Sequence, residues 1–546
     1  MDASSVRFMR GGTGLLDRVL AHHAARVAVR DGVGQETTYG ALAAASAAMA
    51  DRLLDGRRSL GGERVALLVP PSPGFVAALI GIWRAGGVAV PLSASHAPAE
   101  LEHILGTAGV GATVVAPALT GRLGAEDAGA GARAPLATGR LLRAEEAVAA
   151  PDSSTAATPA PGDPLAPALD DASPALMLFT SGTTGKPKGV LLSHGAIAAT
   201  LRSLAEAWRW QPDDRLLHAL PLYHTHGLIV ALLGALWAGA RVELCAFEAR
   251  AIWAAFQRAS VFMAVPTMYV RLCEAFRAAP PAERAAWASS ARALRLFTSG
   301  SAALPAPLLE TFAEATGQTI LERYGMTEIG MALSNPYDGP RRPGSVGRPL
   351  PGVSVDVVGE DGAPVPAGTP GELRVRSPQL FLGYHGDAAA TAASFDGAGR
   401  FRTGDTGVVS PSDGYVRLLG RTSVDILKSG GYKLSALEIE EALGAHPDIA
   451  EIAVIGTPDP VWGDAVTACV VTRGDVDLDL EALRTWARDR LAPYKLPRAL
   501  RRMAALPRNP MGKVQKSALM RGAEISGSLA KEGAGAVPTP AAKASR

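Results

Sequence analysis

Leu178-Phe179-Thr180-Ser181-Gly182-Thr183-Thr184-Gly185-Lys186-Pro187-Lys188-Gly189 is the stretch on which the reading of this chain turns. Residues 175–179 are apolar and have the length of a buried strand, and a second apolar patch follows at 190–192. Between them lie hydroxyls, glycines and two lysines. Glycines let backbone N–H groups crowd around an anion, hydroxyls add donors and lysines add charge, which is phosphate-binding chemistry. A Walker A loop is excluded, because Gly182 and Gly185 enclose two residues instead of four and Pro187, not Ser or Thr, follows Lys186. A flexible polar hairpin is the plain alternative.

The chain has 546 residues, far more than one minimal core, so about two to four folding units are expected. Lys and Arg total 54 against 52 Asp and Glu, a balance with no strong field for nucleic acid. Cys245, Cys273 and Cys469 are odd in number and far apart, which suits a reducing compartment without a disulfide or metal framework. Residues 1–14 have no apolar signal core, and the apolar run 228–240 is too short to cross a bilayer. A soluble, cytoplasmic protein is expected, with no membrane contact and no obligate protein partner.

Outward from the loop, residues 15–30 carry apolar residues at helical spacing and read as an amphipathic helix. A second helix at 41–54 follows, with Thr38 as its N-cap. Strands at 64–70, 88–92 and 112–116 alternate with helices at 73–85 and 100–109, the pattern of a parallel α/β sheet. Residues 124–174 are dominated by Ala, Gly, Pro, Ser and Asp and read as a loose connector. His224 and His226 share a strand face or converge in a turn; a packed pair, a metal site and a substrate-gating histidine all remain open. Arg271 lies among apolar residues, as a surface arginine or a buried anion partner.

A second dense motif is Glu322-Arg323-Tyr324-Gly325-Met326-Thr327-Glu328. Tyr324 can stack on a purine, Thr327 can reach a phosphate and Glu328 can hold Mg²⁺; a helix start capped by Thr327 is the structural alternative. Asp405, after Thr403 and Gly404, suits a ribose diol. Residues 420–433 bring Lys428, Ser429, Gly430 and Gly431 into a short strand and glycine turn, and Ser435 with Glu438 fits a helix-opening capping box. Lys513 follows a glycine in a rigid loop near the end, and residues beyond 522 read as a disordered tail.

Taken together and in this order, these stretches resemble the adenylate-forming, acyl-activating superfamily from about residue 15 to 519. The resemblance implies an α/β fold: a large N-terminal domain (1–420) of packed α/β sheets with a β-barrel-like subdomain, a hinge at 421–425 and a small mobile α+β C-terminal domain (426–522). It implies that Thr180, Ser181, Gly182, Thr183, Thr184, Gly185, Lys186 and Lys188 bind the β- and γ-phosphates of ATP. Gly300, Ser301, Ala302, Ala303 and Tyr324 would hold adenine, and Asp405 and Arg421 ribose. Thr327 would contact the α-phosphate, Glu328 would bind Mg²⁺ and Lys513 would catalyse adenylation. His224 would line the acyl pocket and move between steps, and residues 428–431 would serve the transfer to coenzyme A. The residues around Arg271, Met326 and Ser334-Asn335-Pro336 resemble the malonate-activating branch. There Arg271 would pair with the distal carboxylate and Met326 would pack against the acid. Malonate, ATP and CoA are thus the expected small-molecule partners.

Overall fold

The computed structural model describes residues 15–123, 140–144, 170–180, 187–429, 432–459, 461–474, 476–509 and 512–525. The chain divides into two compact units, Met1–Leu418 and Leu419–Arg546.

Two large sheets organise the first unit. In the nine-stranded sheet, parallel strands Leu321–Met326, Leu296–Ser299, Val261–Ala264, Arg215–His218, Arg241–Leu244 and Val27–Arg30 lie side by side, with antiparallel strands closing both edges. Most residues of the parallel strands are buried because both faces of the sheet are covered. The seven-stranded sheet has Pro174–Thr180 between Val88–Pro91 and Lys188–Ser193, so the strand leading into the glycine-lysine loop is central. The helix Pro73–Arg84 is buried almost throughout and packs beside Tyr39–Leu54. Thr38 caps the latter by accepting from Ala41 N at 3.1 Å. The barrel-like subdomain expected from the resemblance is an antiparallel four-stranded sheet of Ser354–Val358, Gly371–Arg376, Phe401–Val409 and Val416–Arg421.

Local reading failed in two places. Residues 15–30 are a short helix, Asp17–His22, and then the strand Val27–Arg30, which pairs with Val242 and Glu243; β-branched residues with a strand partner override the helical spacing. Within the stretch read as a connector, Arg140–Arg143 is a strand along Ala112–Val115, whereas 124–139 and 145–169 lie outside the described residues. The 322–328 motif is a hairpin, Leu321–Met326 turning into Gly330–Ser334, which removes the alternative of a helix start.

The second unit is a five-stranded sheet with helices against it. Ile449–Asp459 and Gly463–Thr472 form its long antiparallel hairpin, and Ile426–Ser429, Tyr432–Ser435 and Ala499–Arg502 complete it. Ser435 caps Ala436–Gly444 by accepting from Glu438 N at 3.1 Å, while the Glu438 carboxylate turns to Lys495 at 2.5 Å. The last helix, Lys516–Ile525, reaches past the expected start of the tail, and residues 526–546 are not among those described. No helix among the described residues is long and apolar enough to cross a membrane.

Candidate functional site

Thr180 and Lys188 close the ends of the glycine-lysine loop, paired across the Pro174–Thr180 and Lys188–Ser193 strands. Ser181, Gly182, Thr183, Thr184, Gly185 and Lys186 lie outside the described residues. Lys188 Nζ is 3.3 Å from Asp387 Oδ2 and stands 5.1 Å from the centre of the Tyr384 ring. Tyr384 Oη in turn donates to Glu328 Oε1 at 3.0 Å. A basic side chain from the loop, an aromatic and a buried carboxylate therefore follow one another.

Glu328 and Thr327 sit in the turn of the 321–334 hairpin. Thr225 Oγ1 donates to Thr327 Oγ1 at 3.0 Å, tying that turn to the start of the wide-turned helix His226–Leu233. On the strand before the turn, Tyr324 Oη donates to Asp405 Oδ2 at 2.5 Å. Asp405 is fixed by the backbone: its N–H donates to Thr403 Oγ1 at 3.0 Å, and Thr403 Oγ1 donates to Leu373 O at 2.8 Å. Two residues assigned to the nucleoside, 81 positions apart, are thus in direct contact.

Beside them lies a buried cluster of cationic and imidazole groups. Arg323 is 3% exposed, and its Nε and Nη2 have no hydrogen-bond partner among the described residues. Burial lowers this guanidinium to about 10, which still leaves it protonated near neutrality. Gly300, at the end of the Leu296–Ser299 strand, makes room for it, because a Cβ there would overlap the guanidinium. The next residue, Ser301, holds a left-handed φ of 69°, and its Oγ is 3.3 Å from His226 Nδ1. His226 is held well below its ordinary value by burial first and then by Arg323, so its ring is neutral. His224 is half-buried, its ring 4.3 Å from Tyr223, and burial with neighbouring His96 lowers it to about 4. Neither His226 Nε2 nor His224 Nε2 has a hydrogen-bond partner among the described residues. A buried cation and two ring nitrogens thus keep hydrogen-bonding capacity that no described residue meets.

Arg271 falls outside this description. It is exposed on the helix Pro266–Ala278, where water competes for its guanidinium, while the neighbouring Leu272 and Cys273 are buried. Met326 is half-buried against the core, and Ala302 and Ala303 are exposed in the turn after Gly300.

In the second unit Arg421 opens a closed turn: its N–H donates to Asp425 Oδ2 at 2.9 Å, and Asp425 N–H donates back to Arg421 O at 2.7 Å. Lys428 is exposed and Ser429 buried, whereas Gly430 and Gly431 are not among the described residues. Lys513 is exposed in a hairpin in which its N–H donates to Asn509 Oδ1 at 2.9 Å.

Tyr384 and Arg323 are candidate site residues to which sequence reasoning gave no role, whereas His226 was read there as one of a histidine pair. Arg323 carried a signal: two adjacent charged residues, Glu322 and Arg323, inside a buried strand require a reason. Tyr384 carried none. Among the described residues no three His, Cys, Asp or Glu side chains gather as a metal-ligand set. Glu328 therefore fits Mg²⁺ as one carboxylate that would share the ion with phosphate oxygens.

Comparison with known proteins gives the family. Residues 16–385 match the AMP-binding enzyme family, and residues 438–513 match the AMP-binding enzyme C-terminal domain. A malonate–CoA ligase of Arabidopsis thaliana is 40% identical over 493 residues, covering 86% of this chain and 79% of the relative. The crystal structure of ATP-bound MatB from Rhodopseudomonas palustris superposes with a TM-score of 0.83 at 33% identity, covering 94% of this chain and 99% of that one. A malonyl-CoA ligase ternary product complex with methylmalonyl-CoA and AMP is 38% identical, with a TM-score of 0.62 over 88% of this chain and 97% of that one.

Proposed function

This chain belongs to the AMP-binding enzyme family and is an acid–CoA ligase, and we propose that the acid it activates is malonate, with methylmalonate as a second substrate. One observation carries the choice of acid: the buried Arg323 guanidinium beside His226 and Gly300, whose Nε and Nη2 have no hydrogen-bond partner among the described residues. A monocarboxylate pocket would leave that cation buried and uncompensated, at a cost of several kcal/mol, about 3–5 for a buried charge that loses its partner. A dicarboxylate brings its own counter-ion and can pair with the guanidinium through two oxygens.

The reaction runs in two steps. The proximal carboxylate of malonate attacks the α-phosphorus of ATP and pyrophosphate leaves; the CoA sulfur then attacks the malonyl-adenylate and AMP leaves. Lys188 with the glycine-lysine loop grips the leaving pyrophosphate, and Tyr324, Asp405 and Arg421 hold the nucleoside. Glu328 would hold Mg²⁺, which would neutralise charge on the phosphates, and Tyr384 orients the Glu328 carboxylate. Lys513, in the second unit, stabilises the charge that develops as the acid attacks. Thr327 meets the α-phosphate, and His224 lines the acyl pocket. Lys428 and Ser429 belong to the thioester step. Three free thiols among the described residues suit a reducing compartment such as the cytoplasm.

ATP–pyrophosphate exchange with malonate, methylmalonate, succinate and butyrate tests this reading. Malonate and methylmalonate are expected to exceed butyrate in kcat/KM by about 100-fold or more, the worth of a desolvated charge pair. Equal rates for malonate and butyrate would overturn the malonate assignment while leaving the acid–CoA ligase intact.

A further inference from the structure

Three residues after Lys513, Lys516 is buried between two carboxylates. Its Nζ is 2.5 Å from Asp425 Oδ1 and 2.6 Å from Glu440 Oε1, and the three side chains are 12%, 12% and 17% exposed. Each carboxylate is bound again on its own side. Glu440 Oε1 also accepts from Val454 N at 2.6 Å, and Asp425 Oδ2 accepts from Arg421 N at 2.9 Å. One ammonium therefore joins the 421–425 turn, the helix Ala436–Gly444 and the strand Ile449–Asp459. Burial alone would lower the lysine, but Glu440 and Asp425 override it and raise it, so it stays charged. Gly420 permits the arrangement: its φ is +118°, and a Cβ there would strike the Asp425 side chain.

The Lys513 hairpin is held on both sides. Ahead of it, Arg508 pairs with Glu451 at 2.8 Å, but these side chains are 34% and 41% exposed, and a surface pair adds little. Behind it, Gln515 N donates to Pro507 O at 2.8 Å, and Lys516 plugs the chain into the buried triad. Val514 and Leu519 pack on Ala453, Ile455 and Cys469, and Leu519 O accepts only a long bond from Arg501 Nη1 at 3.4 Å. The strong, directional anchor of the lysine loop is thus Lys516. The triad's charges do not balance, and this ranks its members: removing either carboxylate leaves a pair, whereas removing Lys516 leaves two carboxylates facing each other.

We propose that Lys516 is a positioning residue for Lys513, locking the loop that carries it to the Arg421–Asp425 turn so that both move as one body. This rests on the adenylating role given to Lys513 above. The triad's side-chain bonds run among its own members and to the N–H groups of Arg421 and Val454, so its proposed effect reaches the reaction through placement, and a misplacement of about 1 Å costs on the order of 100-fold.

The test measures both half-reactions in the full-length protein: malonate-dependent pyrophosphate exchange, and thioester formation from supplied malonyl-adenylate. Lys516→Met is expected to lower the exchange kcat by about 30- to 100-fold, with KM for ATP and malonate held within about threefold. Thioester formation should stay within about threefold of wild type, and Lys516→Arg should restore most of the exchange rate. Losses shared equally by both half-reactions, in step with the folded fraction, or no loss in either, would overturn the proposal. Should Lys516→Met fail to fold, Asp425→Asn and Glu440→Gln carry the test; each should lower exchange alone, and by less. Parallel or absent losses in those two variants would equally overturn it. If Lys513→Ala abolishes exchange while Lys516→Met spares it, only this inference fails. Were Lys513→Ala to spare exchange, the reading beneath it would fail instead.

Discussion

Replacing Arg323 by leucine should lower kcat/KM for malonate by about 100- to 1000-fold while butyrate is used as well as before or better. The size follows from the loss of a desolvated, bidentate charge pair, about 3–4 kcal/mol. The asymmetry between the two acids follows from burial. Leucine removes a guanidinium that is 3% exposed and whose Nε and Nη2 lack partners among the described residues, so a monocarboxylate gains an apolar wall where it met an uncompensated charge. AMP release under each acid is the measurement. Arg271→Ala belongs in the same assay, because that residue is the other arginine with a case for the distal carboxylate. From its exposure, the malonate-to-butyrate ratio should move by about threefold or less. If Arg271→Ala collapses the ratio and Arg323→Leu does not, the exposed arginine is the partner.

Lys513→Ala should separate the two halves of the reaction. Malonate-dependent pyrophosphate exchange is expected to fall by about 100- to 1000-fold, the usual consequence of removing one preorganised group that faces developing charge. Thioester formation from supplied malonyl-adenylate should persist. Lys513 is exposed, and its loop is closed by backbone bonds to Asn509, so the change removes a charge and leaves the hairpin's own hydrogen bonds in place. If exchange survives while thioester formation is lost, Lys513 serves the second step.

Some of this was legible from residue order alone. The alternation of strands and helices over 64–116 is a local property, and Thr38 and Ser435 announce their helices because a cap acts within three residues. The glycine-lysine loop was legible because its donor density has few uses other than an anion. Non-local pairing was not. Val27–Arg30 is a strand because Arg241–Leu244 lies beside it, and Arg140–Arg143 because Ala112–Val115 does. The Tyr324–Asp405 bond and the Tyr384–Glu328 bond join hairpins 81 and 56 positions apart, and no periodicity encodes such distances. The choice between two arginines fell in the same class. Arg271 sits beside apolar residues in the sequence and Arg323 beside Glu322, and only the fold shows that Gly300 makes room for Arg323 and that Arg271 faces water.

Malonate and its monomethyl ester, each assayed with wild type and with Arg323→Leu by pyrophosphate exchange, test most directly whether this guanidinium reads the second carboxylate. The two changes should couple: either one alone costs about 100-fold or more in kcat/KM, and making both costs little beyond either. Additive losses, with the ester and the substitution each exacting its full cost in the presence of the other, would contradict the pairing of Arg323 with the distal carboxylate.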